Sequence, residues 1–189
     1  MPLSEPVARE LLHRREIRLD GYRRADGLFD IEAVIVDTKT YGFGNQDRGW
    51  IEPGVPLHRM LARMTLGEDM VIVAFEAATE FSPYAICPQA APNFSRLAGL
   101  RVGRGFLKAA NERVGGTVGC THLRELLQQM ATVAFQTLYA VRVKREQAPN
   151  AQASSDANAA TPAVLGTCLA YAPSSPVVKR AWPQHYRGE

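Results

Sequence analysis

Two runs of alternating polar and apolar residues open the chain, and a helical repeat closes its ordered part. Glu16-Ile17-Arg18-Leu19-Asp20 alternates residue by residue, Asp26-Gly27 supplies a turn signal, and Phe29 to Lys39 follows. Together Arg15 to Lys39 predicts a β-hairpin. Its second strand carries Ile31, Ala33 and Ile35 on one face and Val34 and Val36 on the other. A strand apolar on both sides is expected at the centre of a sheet, covered on each face. Leu57 to Thr79 predicts a second hairpin with Gly67-Glu68-Asp69 at its tip. His58, Met60, Ala62 and Met64 share one face of its first strand, and Met70, Ile72, Ala74 and Glu76 share one face of its return strand. A tip of two or of three residues decides which return face lies beside His58, because a slip of one residue reverses every side chain.

Between the hairpins, Tyr41 to Pro56 reads as a Gly-, Asn-, Asp- and Pro-rich loop that holds Phe43 and Trp50. Ser82 to Pro92 is a Pro-punctuated loop, Asn93 starts a short helix to Leu97, and a helix near Arg104 to Arg113 is stopped by Gly115-Gly116. Leu123, Leu126, Leu127, Met130, Val133, Ala134, Leu138 and Val141 then recur at helical spacing. They predict a long amphipathic helix from about Thr121 to Val143. Residues 146–162 are rich in Ala, Asn, Gln and Ser and read as a flexible insert. The apolar tail beyond them offers a further edge strand before Trp182. Strands first and helices later give an α+β protein: an antiparallel sheet of two hairpins, with the long C-terminal helix and shorter helices packed on one face.

Composition adds bounds. The chain has 189 residues, 46% of them hydrophobic and 22% charged, which suits one folded domain spanning 1–189. The net charge of +3 comes mostly from interleaved acids and bases, the run Arg14 to Arg24 excepted, and no nucleic-acid signature accompanies it. Three cysteines, no secretory core and no long apolar run lead to a cytoplasmic expectation, with no membrane partner. Homo-oligomerisation stays open.

Several motifs taken together resemble an uncharacterised bacterial family, domain of unknown function 2889. They are Gly21-Tyr22-Arg23-Arg24-Ala25-Asp26-Gly27-Leu28-Phe29-Asp30-Ile31-Glu32, then Asp37-Thr38-Lys39, then Gly119-Cys120-Thr121-His122-Leu123 with Glu125-Leu126-Leu127. The stretch from Glu76 through Cys87-Pro88 fits as well. The resemblance implies little chemistry beyond a place in aromatic-compound catabolism.

The polar residues at apolar places carry the candidate chemistry. Glycine leading into a helix frees its first N–H groups for an anion, and His122 and Cys120 stand there, with Glu125 one turn on to orient the imidazole. Glu76, on a mostly apolar strand, must pair or shift its pKa if buried, and so is a candidate acid/base. His58 among methionines is either a satisfied core residue or a third catalytic group. Lys39 and Arg18 could anchor a carboxylate, with Tyr22 and Trp50 as aromatic walls and Cys120 beside them. These groups suit a cofactor-independent lyase, either a decarboxylase or a formaldehyde-releasing retro-aldol enzyme. The aromatic substrate follows from the resemblance alone. A small-molecule or anion binding protein without turnover would use the same pocket. A metal-binding protein would use Cys120, His122 and Cys87, with zinc or iron as the ion.

Overall fold

The computed structural model of the chain describes residues 3–146 and 164–188. The chain divides into two compact units, Met1–Val143 and Lys144–Glu189. In the first, β1 (His13–Arg23) and β2 (Phe29–Lys39) form an antiparallel hairpin in unbroken register from His13 opposite Lys39 to Arg23 opposite Phe29. A short hairpin follows, β3 (Phe43–Asn45) and β4 (Gly49–Ile51), inside the stretch expected to be plain loop. Asn45 makes this turn possible, because its side-chain oxygen accepts from the backbone N–H groups of Asp47 and Arg48. β5 (His58–Leu66) and β6 (Ile72–Phe81) complete a four-stranded antiparallel sheet of order β1-β2-β5-β6.

β2 is a central strand, as its composition predicts, and its two faces differ. Phe29, Ile31, Ala33 and Ile35 are buried, and on β5 Met60, Ala62, Met64 and Leu66 continue that surface. Over it pack a 3-10 run (Cys87–Leu97), α1 (Phe106–Val114) and the long α2 (Thr121–Glu146) through Phe94, Leu97, Phe106, Val114 and the α2 stripe Leu123, Leu126, Leu127, Met130, Ala134 and Leu138. The other face of β2 is half-buried at Val34 and Val36, not covered as expected. Arg63 there pairs with Glu32 across the strands. Each fully buried aliphatic side chain of the inner layer contributes ~1.5–3 kcal/mol through removal of its surface from water.

Two glycines let the layers meet. A Cβ on Gly21 of β1 would come within 1.9 Å of Thr137 Oγ1 on α2, and a Cβ on Gly119 within 1.9 Å of the Val114 carbonyl oxygen. The first sets how closely the edge strand approaches α2, and the second lets α2 start hard against the end of α1.

β6 departs from a two-residue period. Register shifts separate Thr65 from Leu66 and Arg59 from Met60 on the partner strand. Leu66 faces Ile72 and Thr65 faces Ala74, so Val73 is the extra residue of a bulge. Ile72 and Phe75 are both buried in consequence, while Glu76 pairs opposite Arg63 on the outer face. The turn itself spans Gly67 to Val71, with Met70 at φ 65°.

In the second unit the described residues hold a 3-10 turn (Leu169–Tyr171), α3 (Pro176–Ala181) capped by the Ser175 side chain, and a 3-10 turn (Pro183–His185). The edge strand expected in the tail is absent among the described residues. Pro176 fixes the start of a helix instead, its lack of an N–H costing nothing there. The insert predicted over 146–162 lies outside the described residues, apart from Glu146, which ends α2.

Candidate active site

The inner stripe of β2 does not stop at Ile35. The next position of the same parity is Asp37, which is only 2% exposed. Its cross-strand neighbours are Arg15 on β1 and His58 on β5. The first turn of α2 lies over this end of the sheet and adds His122 and Glu125. A buried carboxylate is tolerable only when its oxygens are satisfied, and here they are. Oδ1 accepts from Arg15 Nε at 2.7 Å and from His13 Nε2 at 3.0 Å; Oδ2 accepts from Arg15 Nη2 at 2.8 Å and from His58 Nδ1 at 3.0 Å. Arg15 is held from behind, its Nη1 donating to Glu125 Oε2 at 2.5 Å. Glu125 therefore serves Arg15, not the His122 ring it was expected to orient. Arginine's planar fork makes this three-way arrangement possible.

Burial alone would raise the pKa of Asp37. The hydrogen bond and charge of Arg15 outweigh it, helped by His13 and His58, and hold the group at about 2. Burial lowers the pKa of His58, and the neighbouring His122 lowers it further against the opposing pull of Asp37. His122 is lowered by burial first and by Arg15 second. Two half-buried imidazoles whose ring centres lie 3.9 Å apart have reason to remain neutral together. His122 Nε2 sits 3.8 Å from Asp37 Oδ2, and its Nδ1 sits 4.0 Å from Cys120 Sγ.

These states fix a tautomer. An ionised Asp37 only accepts, so the His58 nitrogen against it, Nδ1, must carry the hydrogen. A neutral His58 then has a bare lone pair on Nε2, which has no hydrogen-bond partner among the described residues. His58 and His122 line a cavity of about 310 Å³ with Met60, Tyr84, Cys87 and Cys120.

The structure brings four of the sequence-predicted residues, His58, His122, Cys120 and Cys87, to this cavity. Glu76 is elsewhere: the bulge turns it onto the outer face, where its side chain is 72% exposed and pairs with Arg63. Arg18 pairs with Asp20 on that face, and Tyr22 is exposed. Lys39 sits over the rings of Tyr41 and Phe43, and exposed Trp50 covers Gly42. None of Lys39, Arg18, Tyr22, Trp50 and Glu76 lines the cavity. Asp37, Arg15 and His13 were not among the predicted site residues. The parity of β2, which carries a carboxylate into the core two residues after Ile35, was a signal for Asp37 alone.

Asp37, His58 and His122 place one ligating atom each within 4.8 Å of one another, and the set does not include Cys87 or Cys120. All four acceptor positions of Asp37 are taken by N–H donors, so an ion there would have to displace Arg15, His13 or His58. The arrangement fits a hydrogen-bonded carboxylate better than a ligand set.

Fold and site together define an α+β protein with an Asp–Arg–His cluster, built on the buried Asp37, beside a cavity. The chain belongs to the family described as protein of unknown function, DUF2889, whose family model matches residues 13–136. No curated protein and no solved structure matches it. Among the described residues no helix is long and apolar enough to cross a membrane.

Proposed function

We propose that the protein is an acid/base enzyme of the lyase class, cleaving a C–C bond of a phenolic or other aromatic acid, with His58 Nε2 as the proton-transfer atom. The observation that carries this reading is His58 at the cavity wall, its Nδ1 3.0 Å from the Asp37 carboxylate. A base held in one tautomer at a cavity wall contributes typically 10²–10⁴-fold to a proton-transfer step. Met60, Pro83, Tyr84 and Ala90 give the cavity apolar walls suited to one aromatic ring. Gly119 to His122 line it too, and the free N–H groups that open α2 favour a carboxylate.

A phenol can be its own electron sink. His58 takes the phenolic proton and returns it to the carbon that loses the carboxylate. The phenolate electron pair forms that C–H bond and leaves a quinone-methide-like intermediate; carbon dioxide departs, the C–C pair returns to the ring to restore the phenolate, and water reprotonates it. The net change is one C–C bond replaced by one C–H bond, with one proton taken from solvent. In the retro-aldol variant the proton comes from a carbinol and an aldehyde departs in place of carbon dioxide. His122, its ring tilted 33° to that of His58 with centres 3.9 Å apart, helps lower the His58 pKa and so keeps the base unprotonated.

The test is a panel of phenolic acids followed for disappearance of substrate and for release of carbon dioxide or formaldehyde, with His58→Ala in parallel. Consumption by the wild type that falls at least a hundredfold in His58→Ala supports the reading. Binding without consumption would make this a small-molecule binding protein with the same pocket.

A further inference from the structure

We infer that Arg15, clamped between Asp37 and Glu125, is a positioning residue that acts through Asp37 to hold His58 in the tautomer whose Nε2 is unprotonated. The inference rests on the proposed role of His58, and it assigns that role a cause outside the cavity. Arg15 contributes nothing to the cavity wall. Its guanidinium instead meets both oxygens of Asp37, at 2.7 and 2.8 Å, which fixes the carboxylate plane. With that plane fixed, one lone pair of Oδ2 is directed at His58 Nδ1, 3.0 Å away. Glu125, half-exposed on α2, takes the remaining prong at 2.5 Å and prevents the guanidinium from swinging to solvent. Three chain segments far apart in sequence are thus locked in one row: α2, β1 and β2, ending on the β5 imidazole.

Geometry gives each member a distinct task. His13 occupies the second site of Oδ1, so Asp37 cannot rotate to offer that oxygen to His58. His122, at 3.8 Å, is beyond hydrogen-bond reach of Oδ2 and does not compete. Lys39, opposite His13 across the strands, is turned toward Tyr41 and Phe43. Arg15 is therefore the cation that meets both oxygens. A lysine in its place could neutralise the charge and could not span both oxygens and Glu125 at once.

The experiment needs no substrate. Long-range ¹H–¹⁵N NMR of histidine-labelled protein at neutral pH reads which ring nitrogen of His58 is protonated, with His58→Gln to assign the signal. Wild type is expected to show protonated Nδ1 and bare Nε2. Arg15→Gln, and independently Arg15→Lys in case the first variant does not fold, is expected to shift His58 toward protonated Nε2 or a mixture, while circular dichroism remains that of the wild type. An unchanged His58 tautomer in a folded Arg15 variant overturns the inference and leaves His58 as the proposed base. A tautomer that shifts as expected in a protein that consumes no phenolic acid upholds the inference and removes the enzyme reading.

Discussion

Replacing Asp37 by Asn tests the cluster most directly, because the substitution preserves shape and removes charge. The Asn amide puts an N–H₂ where Asp37 offered an oxygen to two donors, so at least one of Arg15 and His58 loses its partner. The cost follows from the pKa. Depression from 3.8 to about 2 corresponds to roughly 2–3 kcal/mol favouring the ionised form in the fold, at about 1.4 kcal/mol per unit. Arg15 keeps Glu125 and is about a third exposed, so the loss stays near that figure and below the ~3–5 kcal/mol of a fully buried pair. At ~2–4 °C per kcal/mol for a chain of this size, the midpoint of thermal unfolding drops by about 4–12 °C. The pH dependence separates this from generic damage. A depressed carboxyl stabilises fully above its unfolded value of 3.8, and that contribution is lost as pH falls through about 2. Urea unfolding of wild type should therefore weaken across this window, and Asp37→Asn should lose that part of the slope while being weaker at pH 7. Equal unfolding free energies from urea at pH 7, within ~0.5 kcal/mol, would refute the account of Asp37 as a satisfied buried anion.

His58 and His122 add a second acid limb. Their folded pKa values lie below 6.5, so the unfolded chain binds protons first and stability declines as pH falls below about 6.5; the double variant His58→Gln, His122→Gln should flatten that limb in pH-dependent urea titrations. For turnover of any substrate found, Glu76→Gln should match wild type, since Glu76 faces away from the cavity, whereas loss of activity in it would contradict the single-site reading. Gly21→Ala should destabilise by ~1–3 kcal/mol through its clash with Thr137, and Thr137→Ala should restore much of that in a double-mutant cycle. Elemental analysis of protein purified without a metal-affinity tag should find substoichiometric metal; a full equivalent that disappears in His58→Ala would replace the hydrogen-bonded carboxylate with a metal centre.

Much of the frame was legible in the sequence because periodicity is a direct imprint of burial. Phe29 to Lys39 and the α2 stripe from Leu123 to Leu138 lie where alternation and helical spacing put them. Glu76 was not legible. Its facing depends on a bulge at Val73, and the residues around it read equally well in either phase. The short β3–β4 hairpin rests on side-chain turns from Asn45 that leave no hydrophobic pattern. His122 and Cys120 could be picked out because glycine before a helix start is a local signal. Arg15 and His13 could not, since on an edge strand a basic run looks like any solvated face. Only the register opposite Asp37 gives them meaning, and register is a property of two strands.

β1 is an outermost strand, paired on one side only, yet three of the four N–H groups that hold Asp37 come from it. Edge segments are where a folded protein breathes at lowest cost. Each transient release of β1 would strip the carboxylate of its guanidinium and His13 together, while β2, β5 and the core beneath stay closed. Under the role proposed for His58, the orientation of its ring would then lapse and return at the pace of that fraying. Slow amide exchange along His13–Arg23, with Arg15 among the probes, would set the fraction of time the cluster is intact, well below the threshold of global unfolding.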